Sequence, residues 1–335
     1  MDRERYLVRP FADRDYEPAA RIASKVTPEF HFTAEEERHW EETFLGRHLV
    51  NEKWVVEERA TGTVVASASM AHSAFSYDAH KFWAYVQVDP GHRGRGIGQA
   101  LSALVESEAA SHEAVCLWTN VRNDDPRSLA FAHRHGFREL RRLWISTLDL
   151  TRLPTQRDSG HGETLEREGI RFTRLSEEGP DRLEVRQRLF DLHDETSRDV
   201  PRVGEFSPIS FEQFVREFDS PGFLPEAYFL ACDGERYVAM SSLAKNPTES
   251  DSLRVDFTGT RGAYRGRGIA TELKRRALEY ARAHGVKYLR TVNDSLNLPM
   301  WAINRKQGFV RTFEWSVQER RFPTADPPAR PNVGE

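Results

Sequence analysis

The sequence has few cysteines, little net charge and no long apolar run, and each shortage excludes a class of protein. Only two of the 335 residues are cysteine, Cys116 and Cys232, and they stand in apolar runs in different halves of the chain. We expect both thiols to be reduced core residues, which indicates a cytoplasmic protein rather than a disulfide scaffold. No stretch approaches the roughly 18 uninterrupted apolar residues that a membrane span needs. A net charge of −4 argues against general affinity for nucleic acid.

The sequence does contain one unusual string twice. RGRGIG stands at 93–98, and RGRGIA stands 172 residues further along, at 265–270. The same shift aligns 93–137 with 265–309 without a gap, up to the Gly-Phe pair that ends each block. A gap-free match over 45 residues indicates a duplicated unit of about 150 residues, which is an ordinary domain size.

Composition along the chain predicts where the two copies begin and end. We expect residues 1–150 to form the first domain and residues 170–320 the second. Residues 151–169 combine Pro, Gly, Ser and charge without apolar periodicity, so they are predicted to be a linker. Residues 321–335 are Pro-rich and are predicted to be a loose tail. Within each half, the order of strand-like and helical segments predicts a mixed α/β fold with a βαβ unit at its centre.

Each RG string lies between a strand-like run and a helical segment, which predicts a ligand-binding loop. Glycines let several N–H groups point at one place, and the following helix adds its free N–H groups and the positive end of its dipole. The expected ligand is a phosphate or pyrophosphate. A P-loop would require Lys and then Ser or Thr where Ile97-Gly98 and Ile269-Ala270 stand, and neither string has the GxGxxG spacing of a dinucleotide fold. RNA binding through the RG strings is an alternative that the acidic net charge disfavours.

Both strings resemble the acyl-CoA loop of the GNAT superfamily of N-acetyltransferases, whose pattern is Q/R-x-x-G-x-G/A. The order of elements around each string is also similar to GNAT, over about 140 residues of each half. The second half looks closest to a bacterial subgroup, through Asn293, Asn297, Pro299-Met300, Ile303-Asn304 and Gly308-Phe309. The resemblance implies an α/β fold of two tandem GNAT-like domains. Each would be a mixed, mostly antiparallel sheet with a central splayed strand pair and flanking helices.

The resemblance also implies that acetyl-CoA (coenzyme A) binds to each half. The loop amides would hold its pyrophosphate, and the strand before the loop would pair with its pantetheine arm. Carried over by position, the expected cofactor-binding residues are Val86, Val88, Arg93, Gly94, Arg95, Gly96, Ile97 and Gly98 in the first half, and Thr258, Thr260, Arg265, Gly266, Arg267, Gly268, Ile269, Ala270 and Asn293 in the second. No metal is expected, because His133 and His135 have no partner cysteines at metal-ligand spacing.

The implied chemistry is direct attack of an amine on the thioester, which needs a base for the amine proton and a proton donor for the thiolate. Many GNAT members place a Tyr donor four residues before the glycine of the Gly-Phe pair. This chain has Ala132 and Asn304 there, and an Asn amide can hydrogen-bond the sulfur but cannot be a general acid. His133 is the next candidate in the first half, although a solvated histidine is the more ordinary interpretation. The predicted catalytic residues are Asn304, Asp256 and Glu195, and the other candidate bases are Asp199, His72, Glu36 and Glu37.

The sequence therefore predicts an N-acetyltransferase that moves the acetyl group of acetyl-CoA to a primary amine in a ternary complex. We expect a small-molecule acceptor, no nucleic-acid or membrane partner, and catalysis in the second half, whose motif is fuller. Two alternatives stay open. The acceptor amine could belong to a peptide or protein, or one or both halves could bind acyl-CoA as a non-catalytic sensor, which the missing Tyr would favour. The sequence does not define the oligomeric state.

Overall fold

The computed structural model describes residues 1–28, 33–46, 49–153, 160–246 and 248–323, and it contains two copies of one unit. The first unit consists of β1 (Tyr6–Pro10), α1 (Tyr16–Val26), α2 (Ala34–Phe44), β2 (Asn51–Glu58), β3 (Thr63–Ala71), β4 (Lys81–Val88), α3 (Ile97–Ser111), β5 (Cys116–Arg122), α4 (Pro126–Arg134) and β6 (Arg138–Asp149). No helix in the described part of the chain is long and apolar enough to cross a membrane.

The second unit repeats this order with additional helices near its start. It consists of α5 (His161–Arg167), β7 (Ile170–Arg174), α6 (Leu175–Glu178), α7 (Leu183–Ser197), α8 (Phe211–Arg216), β8 (Tyr228–Asp233), β9 (Arg236–Lys245), β10 (Ser252–Thr260), α9 (Ile269–Ala283), β11 (Tyr288–Asp294), α10 (Leu298–Lys306) and β12 (Val310–Arg321). From α3 to β6, every boundary recurs 172 residues later, from α9 to β12. The gap-free repeat predicted from the sequence is therefore a repeat of structure as well.

All twelve strands form one continuous sheet because each unit donates its last strand to the other. The strand order is β1-β2-β3-β4-β5-β12-β6-β11-β10-β9-β8-β7. Strand β12 of the second unit therefore completes β5 of the first, and β6 completes β11. This exchange makes the two units parts of a single sheet. It is not among the features predicted from the sequence.

A pseudo-twofold axis passes through the middle of this sheet. Leu143 of β6 pairs with Trp315 of β12, and these two residues are equivalent positions of the repeat. Moving outwards in both directions gives equivalent pairs as well, since Thr147 pairs with Val310 and Arg138 pairs with Glu319. The two units are thus related to each other as the subunits of an isologous dimer would be.

The segment predicted as a linker contains structure of its own. Helix α5 lies within 151–169, and its Leu165 is buried in the core of the second unit. A single buried leucine in a helix of two turns is too little to give an apolar periodicity that sequence reading detects. Residues 154–159, and 324–335 of the predicted tail, lie outside the described residues, and the domain boundaries stay predictions.

Helices α3 and α9 pack their apolar stripes on the same face of the sheet. Ile97 and Leu101 of α3 bury against Phe82 of β4 in the first unit. Ile269 and Leu273 of α9 bury in the equivalent core of the second unit. Burial of these stripes fixes each helix over its strand. The RG loops follow the carboxyl ends of β4 and β10, and because these two strands run in opposite directions, the loops lie at opposite ends of the strands of the shared sheet. Cys116 and Cys232 are buried free thiols, as expected.

Candidate active site

The strand before each RG loop separates from its parallel neighbour, as the resemblance implies. Strand β4 pairs with β5 only from Lys81 to Trp83, and β10 pairs with β11 only from Ser252 to Arg254. Beyond those pairs the strands diverge, and the ends of β4 and β10 are left with one unpaired backbone edge. Four of the predicted cofactor residues lie on these edges, namely Val86, Val88, Thr258 and Thr260. An unpaired edge offers N–H and C=O groups to an extended guest chain.

The two RG loops have the same backbone conformation. Gly94 and Gly96 have φ angles of +78° and +76°, and Gly266 and Gly268 have +77° and +82°. Only glycine adopts this left-handed region without strain, which explains the glycines of the string. Gly96 and Gly268 are also the N-cap residues of α3 and α9. The first N–H groups of both helices, starting at Ile97 and Ile269, are therefore turned towards the loop without intrahelical partners.

The arginines of the strings support the loops from within. Arg93 Nε donates to the carbonyl of Val88 at 3.2 Å, and Arg265 Nε donates to the carbonyl of Thr260 at 3.0 Å. These equivalent bonds fasten each loop to the end of its strand. The other two arginines are also engaged, since Arg95 donates to Tyr6 Oη at 2.8 Å and Arg267 pairs with Glu168 at 2.9 Å. Arg265 pairs with Asp199 in addition. The loop amides, with those of Gly98 or Ala270 one residue into the helix, thus remain available to an anion.

The strand beneath the second loop carries a β-bulge that the first unit lacks. The register of β10 on β9 shifts between Val255 and Thr258, so β10 contains one extra residue there. Ser242 bridges the bulge, because its Oγ accepts from the N–H of Phe257 and donates to Asp256 Oδ2, both at 3.2 Å. The register of β4 on β3 is unbroken along the described strand. A bulge redirects side chains and releases backbone groups, and bulges are common next to active sites.

A buried asparagine pair lies under the second loop only. Asn304 Nδ2 donates to Asn293 Oδ1 at 2.7 Å, and both residues are buried. Asn304 Oδ1 has no hydrogen-bond partner among the described residues. The equivalent residues of the first unit are the apolar Val121 and Ala132. A buried amide oxygen without a partner costs stability, so a bound ligand that donates a hydrogen bond is its natural explanation.

Most candidate bases from the sequence are engaged in structural contacts. Glu195 pairs with the buried Arg261, which also donates to the carbonyl of Tyr237 at 2.8 Å. Glu36 completes a capping box with Thr33 at the start of α2 and also pairs with Arg254 at 2.5 Å. Asp199, Glu37 and His72 are held similarly, by Arg265, by Lys53 and by the N–H of Val50.

Asp256 lies instead in a cleft on the face of the sheet opposite α9. Its carboxyl is exposed to solvent, yet it is surrounded closely enough that burial raises its pKa, against the effects of the Ser242 hydrogen bond and the Arg254 charge. We call the surface formed by Asp256 and its neighbours on this face of the sheet the acidic cleft. Glu217, from the turn after α8, faces the same cleft. Burial and then the Asp256 charge raise the pKa of Glu217 to about 7.

Sequence reasoning missed Glu217 because it stands in an ordinary helix-end context, FVREFDS. No spacing relates it to the RG loop, from which it is separated by three strands and several turns. Only the return of the chain through β10 brings Glu217 close to Asp256. Glu217 and Asp256 therefore form a carboxyl pair that the fold, rather than a motif, assembles.

The same face of the first unit is covered by a segment of the second. Val203 buries in a cluster with Trp118 and Cys116 of β5, against Trp83 of β4. Hydrogen bonds hold the segment beside it, and Ser207 N–H donates to the carbonyl of Phe75 at 2.9 Å. The first unit thus has a phosphate-type loop over a covered face, whereas the second has the same loop over an open, acidic cleft.

A sequence model of the acetyltransferase (GNAT) family matches residues 15–137 and 187–309, and the chain belongs to this family. Both matches end at the Gly-Phe pairs, and together they span more than half of the chain. The protein is accordingly an acyltransferase with two tandem GNAT domains.

Relatives and solved structures extend the similarity along the whole chain. The chain is 24% identical to a mycothiol acetyltransferase of Nocardiopsis dassonvillei, over 94% of this chain and 93% of that protein. It is 27% identical to a mycothiol acetyltransferase of Clavibacter michiganensis subsp. michiganensis, over 71% and 72%. A tandem GNAT protein from the clavulanic acid biosynthesis pathway has a similar fold, with a TM-score of 0.71 at 20% identity, covering 96% of this chain and all of the other. A GCN5-related N-acetyltransferase from Sphaerobacter thermophilus aligns with a TM-score of 0.69 at 21% identity, over 97% and 98%.

Proposed function

We propose that the second unit transfers the acetyl group of acetyl-CoA to a primary amine of a small molecule, and that the first unit supports it. The observation that carries this proposal is the bulged, open strand β10 between the second RG loop and an acidic cleft. The curated relatives named mycothiol acetyltransferases support a small-molecule acceptor.

The residues of the second unit fit acetyl-CoA, which is a substrate of the reaction. The N–H groups at Gly268, Ile269 and Ala270 would hold the pyrophosphate at the start of α9. The free edge of β10 at Thr258 and Thr260 would pair with the amides of the pantetheine arm. An N–H group released at the bulge would donate to the thioester carbonyl oxygen and stabilise the negative charge that develops on it.

The asparagine pair would act on the sulfur end of the donor. Asn304 has a free amide oxygen and holds Asn293 in place. That oxygen can accept a hydrogen bond from a pantetheine amide or from the thiol product, although it cannot deliver a proton. The thiolate would therefore take its proton from the amine nitrogen or from water, since thiols and alkylamines have pKa values of about 8.5 and 10.4.

The first unit supports a second, narrower function, which is binding of acyl-CoA without turnover. Its loop and open strand edge match those of the second unit, but Val121 and Ala132 replace the asparagine pair. The face on which an acceptor would enter is covered by the segment around Val203. A ligand bound there would stabilise the shared sheet by mass action.

Acetyl-CoA titration by calorimetry, with turnover measured over a panel of amines, tests both functions. Glutamate in place of Gly96 or Gly268 adds bulk and negative charge where the phosphates would sit, at backbone φ angles that only glycine favours. We expect Gly268→Glu to abolish turnover and one binding site, and Gly96→Glu to remove the other site while turnover persists. Loss of turnover with Gly96→Glu alone would reverse the assignment of the units, and absence of any acetyl-CoA binding by the wild type would overturn the proposed function.

A further inference from the structure

The acidic cleft of the second unit has a wall that the first unit supplies. Helix α2 of the first unit is fastened to β10 by the ion pair of Glu36 with Arg254, at 2.5 Å. One helical turn further along α2, His39 Nε2 lies 3.7 Å from Glu217 Oε1. The cleft that contains Glu217 and Asp256 is therefore closed on one side by the neighbouring unit, so the strand exchange has a consequence for the active site.

The charged groups around Glu217 come from four elements. Asp256 of β10 and His39 of α2 face it directly, while Arg254 of β10 acts on Asp256 and pairs with Glu36 of α2. Arg216 and Glu212, on its own helix, pair with each other at 2.8 Å. On the α7 side, burial lowers the pKa of His193 to about 4, so this imidazole is neutral at physiological pH. Since Arg254 is shared with Glu36, Glu217 and Asp256 have an excess of negative charge between them.

Aromatic rings line the remaining wall of the cleft. His193 lies 5.1 Å from both Phe214 and Phe257, measured between ring centroids. Phe214 in turn contacts Phe218, with centroids 5.6 Å apart. Phe257 is next to Asp256 in the chain and Phe218 is next to Glu217, so this ring cluster flanks the carboxyl pair. An acidic pair with an apolar wall is complementary to a small ammonium ion that carries an apolar or weakly polar body.

We propose that the acceptor binds in this cleft as a small ammonium ion and that Glu217 is the base that removes its proton, with Asp256 and His39 as positioning residues. This proposal rests on the proposed function of the second unit. Glu217 is a better candidate than the engaged carboxylates of the sequence analysis, because its contact with His39 is too long to be a hydrogen bond and leaves it available. A base poised near the working pH is also the most effective one.

The proton and bond changes balance without any further reactant. One ammonium proton passes to the Glu217 carboxylate and leaves a free amine. The amine nitrogen then forms a bond to the acetyl carbon, and the bond from that carbon to the coenzyme A sulfur breaks. The second nitrogen proton passes to the leaving thiolate, while Glu217 returns its proton to water. The net reaction converts an ammonium ion and a thioester into an amide, a thiol and one released proton.

The pH dependence of kcat/KM tests the base, using full-length protein, acetyl-CoA and a panel of ethanolamine, glucosamine, putrescine and phenylethylamine. The fraction of Glu217 in the base form rises with pH. The kcat/KM of the wild type should therefore fall at acidic pH, with the midpoint of this acidic limb near 7. Glu217→Gln should remove this limb and lower kcat by about 10²- to 10⁴-fold. Asp256→Asn removes a like charge, so it should lower the pKa of Glu217 and move the limb to lower pH.

Two further variants separate local from global effects. Glu212→Gln, on the same helix but exposed, is the matched control and should change kcat less than twofold. His39→Ala should raise KM and move the acidic limb to lower pH, because Glu217 becomes better hydrated. A limb and a kcat that survive Glu217→Gln would overturn the base assignment. Unchanged KM and limb in His39→Ala would overturn the contribution of the first unit.

A carbon-detected NMR titration of the carboxyl groups distinguishes this inference from the proposed function. It needs no turnover, so it remains informative if the panel contains no substrate. Glu217 is expected to titrate near pH 7, and phenylethylammonium should shift its resonance and lower its midpoint. A Glu217 midpoint near 4.5 that the ammonium does not change would overturn the inference, even if acetyl transfer itself is observed.

Discussion

Under the first RG loop, the repeat has valine and alanine at positions 121 and 132, whereas under the second it has Asn293 and Asn304 at the equivalent positions. The loops above them agree to within a few degrees in the φ angles of their glycines. Both copies thus have the same loop backbone, but only the second has polar side chains at these two positions. This difference teaches that a phosphate loop is evidence for binding, while the groups under it are the evidence for chemistry.

The opposite face of the sheet gives the same contrast. In the first unit the face is occupied by the segment around Val203, and in the second it opens to solvent at Asp256. The segment that covers the face of the first unit belongs to the region between α7 and α8, shortly before Glu217 in the chain. The first unit thus has a covered face where the second is exposed, and its α2 contacts β10 of the second unit. Four predictions test this difference between the two units.

The largest effect is expected from a charge in the covered face. Val203 is 9% exposed and packs among apolar side chains, so Val203→Asp would bury a carboxylate without a partner. We expect a loss of about 3 to 5 kcal/mol in the free energy of unfolding, or release of the segment, with new hydrogen exchange around Trp118. Urea unfolding and hydrogen-exchange mass spectrometry would measure these outcomes.

Val203→Ala is the control, with an expected loss of about 1 to 2 kcal/mol in the free energy of unfolding. New turnover by the Gly268→Glu protein after Val203→Asp would show that the first unit is a covered enzyme rather than a scaffold.

The second largest effect is expected from exchanging the residues at positions 121 and 132 with those at positions 293 and 304. Asn293→Val with Asn304→Ala gives the second unit the residues of the first. We expect kcat to fall about 100-fold, which is about 2.7 kcal/mol, because a positioned polar group is lost. Thermal stability should not fall, since an unsatisfied buried amide is removed. The reverse exchange, Val121→Asn with Ala132→Asn, should lower stability without adding activity. A double variant with unchanged kcat would remove the asparagine pair from the mechanism.

Lys274 extends the comparison to α9. It is 3% exposed, and burial lowers the pKa of its ammonium from 10.5 to about 8, whereas Ser102 is the equivalent residue of the first unit. Because the pKa is lower in the folded protein, the unfolded chain binds this proton more tightly. The resulting loss of folding stability is complete below about pH 8 and has disappeared by pH 10.5. Lys274→Met should therefore raise the free energy of unfolding at pH 7 by about 2 to 3 kcal/mol, and by much less at pH 10.5. Urea unfolding at both values measures this, with Ser102→Ala as the pH-independent control. An equal gain at both pH values would contradict the charge penalty.

The repeat and the loops could be predicted from the sequence because each depends on local signals, and the splayed strands were implied by the resemblance to GNAT. Glycine at fixed spacing defines the loop, and apolar periodicity defines the strands and helices around it. The strand exchange could not be predicted, because β6 and β12 have the same pattern and either could pair with either fifth strand. Their register, in which Leu143 pairs with Trp315, is a property of the folded sheet and not of either strand alone.

The acceptor cleft was predictable only in part, for a related reason. Asp256 could be selected because it lies on the strand before the loop, at a known distance from the motif. Glu217 and His39 belong to different units, and nothing in the sequence separates them from the many other surface acids and histidines. They come close because α2 packs beside β10 in the folded protein, where Glu36 pairs with Arg254.

The smallest effect is expected at Gly259 of β10, which lies against Thr196 of α7. A Cβ atom there would lie 2.6 Å from Thr196 Oγ1 and 2.8 Å from the ring of Phe257, so a methyl group forces the strand or the helix to shift. Gly259→Ala should lower kcat/KM about tenfold, because a small displacement of β10 misaligns the thioester and the base. Gln87 is the equivalent residue of the first unit, and Gln87→Ala should leave the rate unchanged. Thr196→Ala in the Gly259→Ala background should restore part of the activity by removing the nearest atom. Equal losses from Gly259→Ala and Gln87→Ala would mean that both strands serve the reaction, and the division of labour between the two units would have to be abandoned.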